Sequence, residues 1–594
     1  MSAPLQIRVG TDDFAKLLLE SSVFVDKSLL IKEFIEDSGD VVLITRPRRW
    51  GKSLNMDMIK RFLALEVDEQ GQALPRAECL NYKLFAGGEA TLFTGEKKQL
   101  NALKIAQHRL LMERYQGQFP VIKIGLKDAQ GSTYEEVLTR LRQVLFSLFN
   151  HHRYLLTSQR ITANEQAIFK RYLREAASAE DLTRSLGFLS ELLYKHFGKP
   201  VYILVDEYDA PINHVFLTLK NDQPALDNVL KLFRRLFSAT FKTNPYLAKG
   251  LITGILRIAK ANLFSDLNNV REYTLLDKRF AASYGFTQAE VDKLLEKAPV
   301  STSSAQIQRW YNGYTLGNEV IYNPWSMMCC LGNEGELGPY WIDSGGTHLV
   351  DALLLDDKNQ QDLQTLVKGG RLERTVDRYI VFGQLDDPSK LYSLLLFSGY
   401  LNPTAVDATA NIYQLSIPND EIQTIYEKRI LQWADSKVRI DSAGYLNLAR
   451  LLAAGQYKAF EETLQAFLQQ ATSFFQTGDK MAEVFYSGFM LCLLSMLAVR
   501  YIIDSERESG QGRPDAMLIP KPGRGNRALI IEYKVGKSQE DPATVAQQGL
   551  AQIEKQGYVA KVQDHAHVQH LEGVCIVFRG KEVVVGHRAI ALYS

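Results

Sequence analysis

At 594 residues and 46% hydrophobic composition, the chain is far above the size at which a core becomes hard to build, and roughly 150 residues per domain gives room for three or four. Lysine plus arginine (69) nearly cancels aspartate plus glutamate (68), which excludes a global basic field, so any polyanion site must be a local patch. Five scattered cysteines (Cys79, Cys329, Cys330, Cys492, Cys575) without C-x-x-C spacing exclude a disulfide framework, and with no apolar leader and no stretch longer than Phe489 to Val499 a cytoplasmic protein without a membrane partner is expected.

Four short apolar runs rich in β-branched residues read as buried strands: Val41 to Thr45, Val121 to Leu126, Val201 to Val205 and Gly250 to Ile255. Between them lie stretches with helical spacing, such as Tyr134 to Phe149 and Ala225 to Phe241. Strands alternating with helices predict a parallel sheet covered on both faces. From about Ala281 to Gln470 the pattern turns mostly helical, with loop clusters at Gly313 to Asn323, Gly332 to Pro339 and Gly345 to Gly346. After Lys480 comes an apolar helix, Ala482 to Val499, then strand-like runs at Ala516 to Ile519, Ala528 to Tyr533, Val574 to Phe578 and Glu582 to His587. This is a second, smaller α/β unit.

The first strand runs straight into Arg46-Pro47-Arg48-Arg49-Trp50-Gly51-Lys52-Ser53 and then into a helical stretch. Strand, loop and helix in that order suit a phosphate: backbone N–H groups and a helix N-terminus face the anion, Lys52 reaches the outer phosphates, and the Ser53 hydroxyl ligates Mg²⁺. Gly51, Lys52 and Ser53 form the second half of G-x-x-x-x-G-K-[ST]; Arg46 stands where the first glycine would be. The strand Tyr202 to Val205 ends in Asp206 and Glu207, the pattern in which the Asp holds Mg²⁺ and the Glu orients the attacking water. Thr253, near the end of another strand, is placed to sense a γ-phosphate, and Arg257 follows closely enough to contact phosphate or to form a surface ion pair.

These residues resemble a family. Phe24-Val25-Asp26-Lys27-Ser28, the Arg-Pro-Arg-Arg-aromatic-Gly-Lys-Ser loop, Val205-Asp206-Glu207-Tyr208-Asp209-Ala210-Pro211 and Thr253-Gly254-Ile255-Leu256-Arg257 look like the bacterial AAA-ATPase-like proteins that carry a C-terminal PD-(D/E)XK nuclease domain. The similarity continues through Tyr284-Gly285-Phe286-Thr287, Trp310-Tyr311-Asn312-Gly313-Tyr314 and Tyr322-Asn323-Pro324-Trp325-Ser326. The resemblance implies an α/β protein. A P-loop (ASCE/AAA-like) parallel sheet with helices on both faces is expected over residues 1–285, a helical lid and connector over 286–470, and a restriction-endonuclease-like α/β domain over 471–594. It implies ATP with Mg²⁺ or Mn²⁺, held by Arg48, Arg49, Gly51, Lys52, Ser53, Asp206, Thr253 and Arg257, with Glu207 catalytic. The family's loop also has Arg where the first glycine would be, which leaves open whether the arginines hold phosphate or pair with Asp206 and Glu207. P-loop domains of this class often assemble to complete their sites, so a homo-oligomer is a candidate arrangement.

In the second unit Gly512-Arg513-Pro514-Asp515 precedes one strand, and the next carries Ile530-Ile531-Glu532-Tyr533-Lys534. Period-two alternation puts Glu532 and Lys534 on one face and Tyr533 on the other, and a hairpin brings Asp515 beside them. Two carboxylates at a sheet edge suit a divalent metal that activates water and stabilises a pentacovalent phosphate, with Lys534 orienting the water. By resemblance, Glu483 is the helix acid that completes such a metal site and Gln552 the helix glutamine near the catalytic lysine. His565, His567 and His570 lie in a polar loop with neither acids nor cysteines to complete a metal site. The leading expectation is ATP-regulated cleavage of nucleic acid, with DNA as the first polymer to consider. The alternative is an ATP-dependent switch whose nuclease-like domain only binds nucleic acid or a protein partner.

Overall fold

The structure, a computed structural model, describes residues 6–591 apart from 92–94, 220, 243, 258–266, 268, 342–361, 364, 368, 379, 381–387, 439–441, 471–485, 487–488, 491–492, 495–496, 498–499, 505–514, 522–524, 537–538, 556–561, 563–564 and 566. The chain divides into two compact units, one of Met1–Leu349 with Glu373–Ile422 and one of Val350–Leu372 with Gln423–Ser594.

The first unit is built on β1 (Val41–Thr45), α1 (Lys52–Leu63), β2 (Val121–Gly125), α2 (Tyr134–His151), α3 (Ala179–Phe197), β3 (Val201–Asp206), α4 (Gln223–Phe241), β4 (Leu247–Gly254) and β5 (Val270–Tyr273). The strands pair in the order β2-β3-β4-β1-β5, every pairing parallel. One strand, β4, therefore separates the loop strand β1 from the acidic strand β3, the arrangement of ASCE/AAA-like domains. The helices start where the sequence supplies caps: Thr133 accepts from Glu136 N at the head of α2, and Ser178 with Asp181 forms a capping box on α3. The leucine stripes of α2, α3 and α4 pack on Val41, Leu43, Ile122, Ile203, Val205 and Ile252. Phe34, Met56, Ile59 and Phe62 cover Val42, Ile44, Leu204 and Leu251 on the opposite face. Because all strands run the same way, the loops after β1, β3 and β4 gather at one edge, where α/β sheets bind their ligands.

Arg46, the first residue after β1, turns inward. Its side chain is fully buried, with Nη1 donating to Thr45 O at 2.8 Å and Tyr273 O at 3.4 Å, and Nη2 to Phe280 O at 3.3 Å. The guanidinium also lies 5.4 Å from the centre of the Tyr284 ring. It ties the carboxyl ends of β1 and β5 to the turn that follows β5.

Further along the first unit come α5 (Gln288–Lys297), α6 (Ser304–Tyr311), α7 (Pro324–Gly332), α8 (Pro388–Phe397) and α9 (Asp420–Val438), whose chain runs on into the second unit. The stretch expected to be mostly helical also carries a hairpin, Tyr314–Leu316 with Glu319–Ile321, and a sheet of Leu372–Thr375, Ile412–Ser416 and Asn402–Asp407 in that order.

The second unit holds α10 (Ser442–Ala453), α11 (Tyr457–Gln470), β6 (Tyr501–Asp504), β7 (Ala516–Pro520), β8 (Arg527–Val535), α12 (Pro542–Lys555), β9 (His570–Arg579) and β10 (Glu582–Ile590). The strands form a sheet in sequence order; β8 and β9 are parallel, linked across α12, and the other neighbours are antiparallel. Alternation along β8 sends Leu529 and Ile531 to the face covered by α10 and α11, and Ala528 and Ile530 to the face covered by α12. Of the apolar stretch Ala482 to Val499, Tyr486, Phe489, Met490 and Leu493 are described and are buried in the first of these cores.

Two contacts are testable by stability. A Cβ added at Gly549 in α12 would lie 2.4 Å from Cys575 Sγ and 3.4 Å from Lys534 Cε. Gly549→Ala should therefore destabilise the second unit by about 1–3 kcal/mol despite alanine's better helix propensity; an unchanged thermal midpoint would mean that the helix does not sit this close. Arg46→Met, which leaves buried carbonyls without their donor, should cost about 2–3 kcal/mol in the absence of any nucleotide. A variant that melts like the wild type would show that Arg46 is not a structural pin.

Candidate nucleotide cleft and candidate metal site

Gly51 ends the loop at φ +75°, and a Cβ there would come no closer than 4.0 Å to Asn55 Nδ2, so backbone conformation, not space, asks for glycine. Arg49 also takes a left-handed conformation, φ +63°, sparsely populated for residues with a side chain and typical of strained functional turns. Trp50 anchors the loop from below: it is 1% exposed and meets the Tyr314 ring edge-on at 4.9 Å. Lys52 opens α1, its ammonium donating to Arg46 O at 3.0 Å and Pro47 O at 2.7 Å. Burial lowers its pKa, opposed by Asp206, Asp209 and Glu207. Ser53 sits one residue further into α1 and lines the cleft above the loop.

On the acidic side the Thr253 hydroxyl donates to Asp206, and Glu207 N donates to Asp206 Oδ1 at 3.0 Å. Thr253 is fully buried, so its hydroxyl is engaged by the acid instead of facing the cleft as its sequence position suggested. Glu207 lines the cleft, also at a left-handed φ of +50°. Burial, then the charge of Asp206, pushes its carboxyl above the ordinary range. Asp209, which sequence reading did not single out, is 2% exposed and accepts from Ile255 N at 2.9 Å and Leu256 N at 3.0 Å, so it pins the loop after β3 to the end of β4. Its Oδ1 would lie 2.7 Å from a Cβ at Gly254. Arg257 points elsewhere, in an ion pair with Glu272, and Arg46 contacts neither acid.

The cleft has a volume of about 810 Å³ and is lined by Gly51, Lys52 and Ser53 and by the apolar side chains of Phe24, Val25, Phe286, Trp325 and Met328. The arginines of the loop reach different surroundings. Arg49 stacks on Trp325 at 4.0 Å and donates to Tyr340 O at 3.0 Å, while the backbone carbonyl of Arg48 accepts from Trp341 Nε1 at 3.1 Å. Both arginines line the cleft.

In the second unit the hairpin does what its sequence implies. Asp515 lies one residue before β7, and its Oδ2 accepts from Tyr533 N at 2.8 Å, which draws it beside Glu532. Lys534 Nζ donates to Glu532 Oε1 at 3.2 Å and to Gln552 Oε1, on α12, at 3.2 Å. Burial, then the negative charge of Asp515, raises the Glu532 pKa, opposed by Lys534. Two carboxylates that disfavour each other's ionisation form a hard-oxygen donor set fitted to Mg²⁺ or Mn²⁺, since a divalent cation relieves their repulsion. Among the described residues no group of three or more His, Cys, Asp or Glu side chains converges on one point; Glu483, expected to add a carboxylate, lies outside the described residues. His567 Nε2 is 2.6 Å from Pro520 O. Cys575, paired in register with Glu532 on the neighbouring strand, is a buried thiol pushed up to about 12.

No described helix is long and apolar enough to cross a membrane. An uncharacterized protein of the vnfD 5′ region in Azotobacter chroococcum is 24% identical over 582 residues, covering 96% of each chain. The Walker-type ATPase of Pyrococcus abyssi aligns with 67% of this chain and 94% of its own, at 12% identity and a TM-score of 0.31. The AAA-ATPase-like family model, described as a predicted AAA-ATPase, matches residues 8–76 and 89–264, and the PD-(D/E)XK nuclease superfamily model matches residues 481–588. The chain thus joins an N-terminal domain of the AAA-ATPase-like family to a C-terminal domain of the PD-(D/E)XK nuclease superfamily.

Proposed function

We propose that this chain is a nucleotide-regulated nuclease that binds and hydrolyses ATP in the first unit and cleaves nucleic acid phosphodiesters in the second. The observation that carries the reading is the convergence of Asp515, Glu532, Lys534 and Gln552 on one face of β8. Asp515 and Glu532 would hold a divalent cation, which supplies Lewis-acid activation of water and neutralises charge on the phosphate when bound. Lys534, fixed between Glu532 and Gln552, holds a water-derived nucleophile or offsets charge on the leaving oxygen. DNA is the polymer we would test first.

In the first unit the phosphates lie along the loop, against the N-terminus of α1 and within reach of Lys52, while the base lies against the apolar side chains of Phe24, Phe286 and Trp325. Ser53 and Asp206 would hold the Mg²⁺ that accompanies the nucleotide. Glu207, at the end of the acidic strand and lining the cleft, orients the attacking water and takes its proton. The 810 Å³ cleft lies within the range of pre-formed small-molecule sites, roughly 300–1,000 Å³.

Plasmid, linear and single-stranded DNA incubated with the full chain, with and without ATP and Mn²⁺, test both halves. Wild type should cut only with divalent metal, and Asp515→Ala should slow cutting by more than about 100-fold while ATP binding is kept. Lys52→Ala should lose ATP binding. Cutting that survives Asp515→Ala removes the proposed site, and metal uptake that is the same with and without Asp515 makes the second unit a binding module. Phosphate release should fall by about 100-fold or more in Glu207→Gln; release at the wild-type rate would assign the water-orienting role elsewhere.

A further inference from the structure

One buried acid has no place in either site. Glu421, on the first turn of α9, is 0% exposed. Its carboxylate accepts from Ser326 Oγ at 2.9 and 2.7 Å and from Trp341 N at 2.9 Å, next in the chain to Tyr340. Those partners are the ones that grip the phosphate loop. Trp341 Nε1 donates to the carbonyl of Arg48, Tyr340 O accepts from Arg49 Nη1, and Trp325, the neighbour of Ser326, stacks on the Arg49 guanidinium and sends its own Nε1 to Tyr340 O at 3.2 Å. Gly399 closes the clasp, for a Cβ there would lie 3.1 Å from the Pro47 ring and 3.5 Å from the Trp341 ring. The buried carboxylate thus stands within one residue of the contacts that Trp325, Tyr340 and Trp341 make with the Arg48–Arg49 turn.

We propose that Glu421 is a positioning residue for nucleotide binding: through Tyr340, Trp341 and Ser326 it holds the Arg48–Arg49 turn in the shape that receives phosphate. The proposal rests on the reading of the loop as a nucleotide site. Hydrogen bonds to a charged acceptor are roughly twice as strong as neutral ones, so the ionised carboxylate grips the Tyr340–Trp341 segment hardest. Burial raises the Glu421 pKa to about 7, against the opposing pull of its hydrogen bonds and Arg49. Among the described residues the other titratable groups facing it are Tyr311 on α6, Tyr314 on the hairpin and Cys329 on α7, all raised further above neutrality by burial, Cys329 to about 11. Between pH 6 and 8 Glu421 is therefore the group in this cluster whose charge changes. An acid whose folded pKa is raised weakens the fold as pH climbs through that value, because folding then requires burial of the charge. Replacing it with the neutral isostere should leave stability at pH 8 unchanged or improved, so a loss of nucleotide affinity in the same variant cannot be a loss of folding.

The experiment measures affinity of the full chain for a fluorescent ATP analogue in wild type, Glu421→Gln, Trp341→Phe and the double variant, each with its thermal midpoint at pH 8. Each single change should weaken binding about 3- to 10-fold, with the midpoint of Glu421→Gln not lowered. The double variant should bind no more weakly than the poorer single variant, since both substitutions cut one chain of contacts. The wild-type advantage over Glu421→Gln should shrink as pH falls from 8 to 6. If the two effects multiply in the double variant, if Glu421→Gln binds as wild type does, or if the wild-type advantage is flat with pH, the positioning role is overturned while the nucleotide site stands. A wild type that binds no nucleotide sinks the reading of the loop, and the proposal with it.

Discussion

A loop that is to bind phosphate through its backbone, as we propose for the turn after β1, has to keep its N–H groups turned outward, so it cannot be held by secondary structure of its own and must be anchored by side chains. Here the first anchor is the buried guanidinium of Arg46. Burying a charge without a carboxylate partner is costly; burial brings its pKa down to about 10, and carbonyls from three places in the chain together with the Tyr284 face offset that cost. The gain is geometric. Arginine at this position fastens β1, β5 and the turn after β5 at the sheet edge where the loop begins, and the loop does not need a first glycine to make that turn.

From this anchor the rest of the cleft follows. With the start of the loop fixed, Trp50 can be driven into the cap beneath Tyr314, and the left-handed turn at Arg49 is held by Trp325 and Tyr340 on one side while Trp341 grips the carbonyl of Arg48. The acidic edge repeats the logic. Asp209 fastens the loop after β3 to the end of β4, which lets Glu207 adopt its own left-handed turn beside Asp206. Strain at these two residues is sustained because packed neighbours over-determine it.

Much of this frame was legible in the sequence, and the gaps have physical causes. The strands β1 to β4 announce themselves as mainly apolar runs, interrupted by Lys123 in β2 and by Lys249 and Thr253 in β4, because a parallel strand covered on both faces has little polar side to show. The edge strand Val270–Tyr273 is invisible to that signal: Arg271 and Glu272 interrupt it. The sheet around Asn402–Asp407 is missed for the same reason, since its strand is largely exposed. Glu532, Lys534 and Asp515 were readable because a hairpin converts spacing directly into proximity. Glu421 was not, since an acid in the first turn of a helix reads as a favourable dipole partner, and only packing shows that it is buried beneath residues far away in sequence. Arg257 illustrates the converse: its position after a strand left phosphate or a surface ion pair open, and in the structure it pairs with Glu272.

The two sites share an electrostatic arrangement that bears on how they work. In each, one lysine faces more than one acid: Lys52 faces Asp206, Glu207 and Asp209, and Lys534 faces Asp515 and Glu532. At the second site the surplus is negative, whereas Arg48, Arg49 and Lys127 also line the cleft beside Lys52; Glu207 and Glu532 are each pushed above the ordinary carboxylate range by burial and by a neighbouring acid. At the second site a phosphate approaching alone would add a third negative group beside Asp515 and Glu532. On the proposed reading, the phosphodiester therefore meets a site already charged with metal, while ATP meets a cleft whose arginines and lysines receive its phosphates directly. On that reading the repulsion from Asp515, which adds to burial in lifting the Glu532 carboxyl, favours the cation.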